Sequence, residues 1–248
     1  MRLLCNPRMS LFTPAFTLSS SDGRIKVVSS FDELVSTPFC VGVNALCWER
    51  TLPGDFSEVV EQLGVEKGIT TIEEAHLRAL SLSEAGRIAR DILLADQELL
   101  RARELLPMLD CVNGYIHDIE EGPLPTHVQS FHADSATVEA DTYLCTYYGL
   151  SSEGLFNEQA QRRVDIPETR AELLDLYGGE DDEGFLEYLN ENFFDLHYAL
   201  LPQAQPYTFG LGNLWRIAIE YPGCLVPPCI HRAPATLPGQ SPRLLLIS

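Results

Sequence analysis

Apolar residues recur at helical spacing across residues 83–106, where Ile88, Ile92, Leu93, Leu99 and Leu100 form one stripe. Ser83 supplies an N-cap and Pro107 ends the run, so this segment predicts the clearest helix of the chain. Asp55 predicts the cap of a second helix that reaches Leu63. Elsewhere the apolar runs shorten to strand length. Residues 138–148 are rich in β-branched and aromatic side chains and stop at Gly149, which predicts a strand. Residues 214–221 alternate in strand fashion after a turn at 209–213, and residues 244–247 form a short apolar strand. Residues 39–48 read as another strand or as the lead-in to Trp48.

Between residues 151 and 195 the pattern turns acidic, with thirteen Asp and Glu against three Arg. Helices are expected at 168–177 and 184–194, joined by a glycine-flanked loop at 178–184, so the segment reads as an acidic helical insert. Residues 1–24 read as a loosely ordered N-terminal arm, ending in the Ser19 to Gly23 turn cluster, and residues 25–248 as one domain. A 248-residue chain can bury the core of a single β-sandwich or barrel with helical additions.

Charge and cysteine usage narrow the possible partners. A net charge of −19, with only 17 Lys and Arg, excludes a phosphate-binding surface, and nucleic acid is therefore not expected as a partner. No apolar run approaches bilayer length, and the N-terminus lacks the apolar stretch of a secretory signal, so no membrane association is expected. Seven cysteines at 5, 40, 47, 111, 145, 224 and 229 form no CxxC pair. That scatter argues against a zinc ribbon or a disulfide framework, and the expected compartment is the cytoplasm.

The chemistry-bearing pattern is His132-Ala133-Asp134, with His231 ninety-nine positions later and then Arg243. On an extended strand residues i and i+2 face the same side, so His132 and Asp134 can converge on one ion. Two imidazoles and one carboxylate suit a divalent first-row metal with open positions, here Fe(II). The planar guanidinium of Arg243 suits bidentate pairing with the distal carboxylate of a 2-oxo acid cosubstrate.

The order and spacing of His132, Asp134, His231 and Arg243 resemble the 2-oxoglutarate and Fe(II)-dependent oxygenases. The strings around Val43 to Arg50, Phe131 to Asp134, Leu144 to Tyr147, His231 to Pro234 and Arg243 to Leu246 are also similar to a bacterial family of unknown function. The resemblance implies a mainly β, double-stranded β-helix (jelly-roll) core flanked by helices. It also implies a reaction in which 2-oxoglutarate and O2 are consumed while a small molecule is hydroxylated, desaturated or cyclised.

One position departs from that pattern. Leu245 stands where many such oxygenases carry a Ser or Thr that assists the arginine. Thr146 and Tyr147 are candidates to help Arg243 bind the cosubstrate, while Arg232, Tyr143 and Trp215 are candidates for substrate binding. Ordinary core packing, or a loop charge for Arg232, is the alternative for each. The acidity of 151–195 suggests a cationic substrate such as an amino acid or amine. Two other classes stay open: a lyase, isomerase or thiol oxygenase using the same metal triad without a 2-oxo acid, and a noncatalytic binding module.

Overall fold

The computed structural model describes residues 24–114, 124–235 and 239–248. Apart from Arg24, the expected N-terminal arm and its turn cluster lie outside the described residues. In chain order the first half contains β1 (Ile25–Val28), α1 (Phe31–Ser36), β2 (Ala45–Trp48), α2 (Phe56–Leu63), β3 (Gly68–Thr71), α3 (Glu74–Ala79), α4 (Glu84–Arg101) and β4 (Met108–Asn113). The second half continues with β5 (Asp141–Tyr148), β6 (Glu153–Leu155), β7 (Ala160–Arg162), α5 (Pro167–Tyr177), α6 (Glu183–Glu191), β8 (Tyr198–Leu200), β9 (Tyr207–Thr208), β10 (Leu214–Ala218), β11 (Ile230–Arg232) and β12 (Arg243–Ile247).

The fold is mixed α/β. Seven strands form one large sheet in the order β1-β2-β10-β5-β12-β4-β3, in which only β1 and β2 run parallel. Two smaller sheets, β11-β6-β9 and β7-β8, make up the rest. Backbone bridges join them through the segment around His132, which pairs with His231 on one side and with His197 on the other.

Strand β5 organises the core because it is buried on both faces. Tyr143, Cys145 and Tyr147 pack with Phe56, Val59, Ala89, Leu93 and Leu100 of α2 and α4. Leu144 on the opposite face packs with Trp215, Tyr207, Phe209 and Cys229, which fill the space between the large sheet and β9. This double burial explains why residues 141–148 show an almost continuous apolar run rather than polar alternation.

The helices differ from the sequence expectation in their details. Ser83 caps α4 by accepting from Gly86 N, as expected, but the helix ends at Arg101, short of Leu106. It stops because Arg103 N and Leu105 N both turn back onto Leu100 O while Glu104 takes a left-handed φ of 62°. Its inner face is carried by Gly86, Ala89, Leu93, Asp96, Gln97 and Leu100, whereas Ile88 is exposed. The helices expected at 168–177 and 184–194 form as α5 and α6, the second ending at Glu191, whereas residues 151–166 of the acidic insert hold β6, β7 and two 3-10 turns. The strand expected at 138–148 starts at Asp141, the strand expected at 214–221 ends at Ala218, and the strand expected at 39–48 is confined to Ala45–Trp48. The Asp55 cap and its helix to Leu63 form as expected.

Asp96 lies on the inner face because it is fully partnered there. Arg50 reaches it through two parallel bonds of 2.8 Å, and Tyr147 Oη donates to it at 2.7 Å. Arg50 also donates to Gly212 O and stacks on Trp48, so one buried ion pair ties α4, β5 and the approach to β10 together. Removing one partner strands the other charge, so Asp96→Ala is expected to cost about 3–5 kcal/mol of folding stability. Tyr147→Phe, which loses one charge-assisted hydrogen bond, should cost about 1.5–3 kcal/mol. Urea unfolding of the two variants checks both values, and an unchanged midpoint for Asp96→Ala contradicts this role.

Candidate metal centre

His132 and His231 are joined backbone to backbone, each N–H donating to the other's carbonyl at 2.9 Å. Directly opposed residues in an antiparallel pair point to the same face. Their rings accordingly lie 4.6 Å apart between centroids. Asp134, two residues beyond His132, turns its carboxylate to the same side. His132 Nε2 lies 3.8 Å from Asp134 Oδ1, and His231 Nε2 lies 3.7 Å from Asp134 Oδ2. Ligand atoms from all three residues fall within 4.8 Å of one another.

The donor set is prepared for a cation. His132 Nδ1 donates to Ser130 O at 2.8 Å and His231 Nδ1 to Cys229 O at 3.3 Å, which leaves each Nε2 lone pair facing the shared space. Burial, reinforced by neighbouring His231, pushes His132 down to about 4, so its imidazole is neutral and ligand-ready at pH 7. Burial alone would raise the Asp134 pKa, but His231, the Thr142 hydroxyl and His132 outweigh it, and the group is held as carboxylate. Thr142 Oγ1 donates to Asp134 Oδ2 at 2.6 Å and fixes the rotamer. These features fit a divalent metal bound through two Nε2 atoms and one carboxylate oxygen.

The remaining expected residues separate by sheet face. Arg243, at the start of β12, is buried on the face opposite Leu244 and Leu246, which pack under the helices. Its Nε donates to Leu150 O at 2.6 Å and its Nη2 to Ser152 Oγ at 3.1 Å. Gly149, with φ of 84°, permits this approach, because a Cβ there would stand 2.5 Å from Pro242 O and 3.1 Å from Arg243 Cα. Thr146 shares the inner face of β5 with Thr142, stands opposite Leu245 in the strand register, and has a buried hydroxyl without a hydrogen bond.

Tyr147 and Tyr143 belong to the other face. Tyr147 is committed to Asp96 beneath α4, and Tyr143 packs in the same helix-side core, so the strand's alternation carries both away from the triad. Trp215 faces the inner layer but is fully buried, stacked on Phe209 at 4.3 Å and donating to Phe209 O, which leaves it no surface for a substrate. Arg232, the strand neighbour of His231, points to the opposite side, pairs with Glu153 at 2.6 Å and covers the Phe131 ring.

Sequence reasoning missed Thr142 and His197. His197 is buried, pairs with the other edge of His132 and brings its ring to 5.8 Å from the His132 ring. The parity rule applied backwards from Thr146 would have found Thr142, but nothing in the sequence marks His197. Comparison of the chain with known protein families, with curated proteins and with solved structures found no match.

Loss of His132 or Asp134 removes one of the three donors that converge among the described residues, so His132→Ala and Asp134→Ala should abolish stoichiometric uptake of Fe(II) or another first-row divalent ion. Thr142→Val keeps the donor but frees its rotamer, and about a 10–100-fold weaker metal affinity is expected. Metal analysis after dialysis and competitive titration with a chelator measure both effects, and wild-type stoichiometry in His132→Ala rejects the site.

Proposed function

We propose that this chain is an Fe(II)- and 2-oxoglutarate-dependent oxygenase acting on a small molecule. The observation that carries the reading is the His132–Asp134–His231 cluster, together with a buried arginine and an unsatisfied hydroxyl on the inner face of the adjoining sheet. The path of the chain supports a double-stranded β-helix core. From β4 the chain passes through residues 131–133, β5, β6, β9, β10, β11 and β12, changing between the large sheet and the smaller layer at every step but the one from β6 to β9. The neighbour order is β4-β12-β5-β10 in one layer and 131–133, β11, β6, β9 in the other. That is the winding expected of a jelly roll, with His132 and His231 on two neighbouring short segments and Asp134 just beyond the first.

Bound Fe(II) would supply open positions for a bidentate 2-oxo acid and for dioxygen, whose joint consumption oxidises the substrate. The protein's own part is placement. Arg243 offers a guanidinium in a dry setting, where a charge-assisted bond to a carboxylate is strong. Thr146 supplies the hydroxyl that Leu245 lacks, from directly across the strand pair. Thr142 keeps the Asp134 carboxylate turned towards the two imidazoles.

The acid-rich surface favours a cationic substrate, because the chain carries a net charge of −19. The glycine-flanked loop at 178–184 contributes four of these acidic residues. Asp181 is paired with Arg170, and Asp182 caps α6 by accepting from Gly184 N and Phe185 N. Leu245 is the one feature that favours a metalloenzyme working without a 2-oxo acid.

Arg243→Lys loses the fork geometry and should weaken 2-oxoglutarate binding by on the order of 1.5–3 kcal/mol. Thr146→Val, which removes one neutral hydroxyl, should cost about 1 kcal/mol. Anaerobic titration of the Fe(II) protein, followed by charge-transfer absorbance, reads both. Oxygen-dependent release of succinate separates this reading from the metalloenzyme without a 2-oxo acid, and its absence in iron-loaded protein rejects the oxygenase. For a cationic substrate the second-order rate constant should fall as salt shortens the Debye length from about 10 Å at 0.1 M to about 3 Å at 1 M. A rate unaffected by salt rejects electrostatic selection.

A further inference from the structure

We propose that Cys229 and Tyr207 become joined by a thioether bond, formed within the protein beside the metal centre when that centre is loaded and exposed to dioxygen. The proposal rests on the metal reading of His132, Asp134 and His231, and adds a modification site to it.

The small layer places four residues side by side. His132 pairs with His231, His231 with Gly154, and Gly154 with Tyr207, so all four present their side-chain positions to one face. Gly154 leaves its position empty, and the Tyr207 ring lies over it. A Cβ on Gly154 would stand 2.2 Å from Tyr207 Cζ, 2.4 Å from its Oη and 2.6 Å from its Cε2. The ring thus covers the gap between its own strand and His231, which a side chain at 154 would close.

Cys229 reaches the same place from the other direction. It precedes His231 by two residues, and its carbonyl accepts from the His231 ring. Its Sγ lies 3.7 Å from Tyr207 Oη, and the two residues are 2% and 4% exposed. Among the described residues this thiol–phenol contact is the only side-chain hydrogen bond of either residue. Phe156, Phe209 and Trp215 surround the tyrosine with ring centroids 4.9, 5.7 and 6.2 Å away, which prevents the ring from swinging out to solvent.

An oxidisable thiol held against an electron-rich phenol beside a redox-capable metal site is the setting for oxidative coupling. The carbon ortho to a phenol hydroxyl is the position that sulfur attacks. In the coupling the Cys229 S–H bond and one ortho C–H bond of Tyr207 break and a C–S bond forms. The two electrons and two protons released reduce one dioxygen to hydrogen peroxide. The product ties β9 to the residue leading into β11 and fixes the phenol next to a metal ligand.

The test is peptide mapping of the full-length protein prepared without metal and without oxygen, then given Fe(II) and air. The expected product is one peptide pair containing Tyr207 and Cys229, two hydrogens lighter than the sum of its parts, with Cys229 no longer alkylated in denaturant. Wild type kept anaerobic, His132→Ala, Tyr207→Phe and Cys229→Ser should each leave the pair open. If wild type binds iron stoichiometrically but Cys229 stays fully alkylatable after air exposure, the cross-link is rejected while the metal centre stands. If wild type takes up no iron, the metal centre is rejected and the cross-link with it. Coupling that proceeds equally in His132→Ala overturns the role given to the centre.

Discussion

The reciprocal backbone pair between His132 and His231 is the contact on which the site depends. Two bonds of 2.9 Å hold residues ninety-nine positions apart in one register. A slip of one residue would send either ring to the opposite face. The pair sits on very short segments, and its strength comes from what the adjoining strands bury. β5 is clamped between the helix-side core and the interlayer core, β12 packs Leu244 and Leu246 into the helix-side core, and β11 is held through β6. Loop-closure cost grows only slowly with length, so a long excursion between the two histidines is tolerated once those strands are anchored.

Polar groups buried on the two faces of the large sheet follow different rules. Under α4, the Arg50–Asp96–Tyr147 network satisfies its own donors and acceptors at hydrogen-bond distance, and its charge is neutralised in place. On the inner face Thr142 is spent on Asp134, Arg243 reaches Ser152 and Leu150, and Thr146 keeps an unmatched hydroxyl. A closed network rigidifies a core, whereas an unmatched buried hydroxyl costs stability unless something else takes it up. That contrast separates the helix-side face from the face that holds the His132–Asp134–His231 cluster, although both carry an arginine and a hydroxylated residue.

How legible this was from sequence depends on the range of the information needed. The triad and Arg243 were visible because their order and chemistry are properties of the string. The caps at Asp55 and Ser83 were visible because capping is settled within a few residues. Strand parity was available too, but Tyr143 and Tyr147 were assigned together to the site when the alternation that groups them equally allowed the helix side. Only Asp96, distant in sequence, decides between the faces, by binding Tyr147 Oη. The surroundings of Trp215 and Arg232 are equally long-range, since Phe209 stacks on the first and Glu153 pairs with the second. His197 and Gly154 owe their places to pairings between remote short segments, for which no local pattern exists.

The number of donors bears on what the centre is for. Metals that hold a fold together are usually closed by four protein ligands, whereas centres that exchange ligands keep a position open. Among the described residues only His132, Asp134 and His231 converge closely enough to share an ion. Three donors on one side, with the His132 imidazole neutral and the Asp134 carboxylate pinned by Thr142, could hold a divalent ion with positions left open.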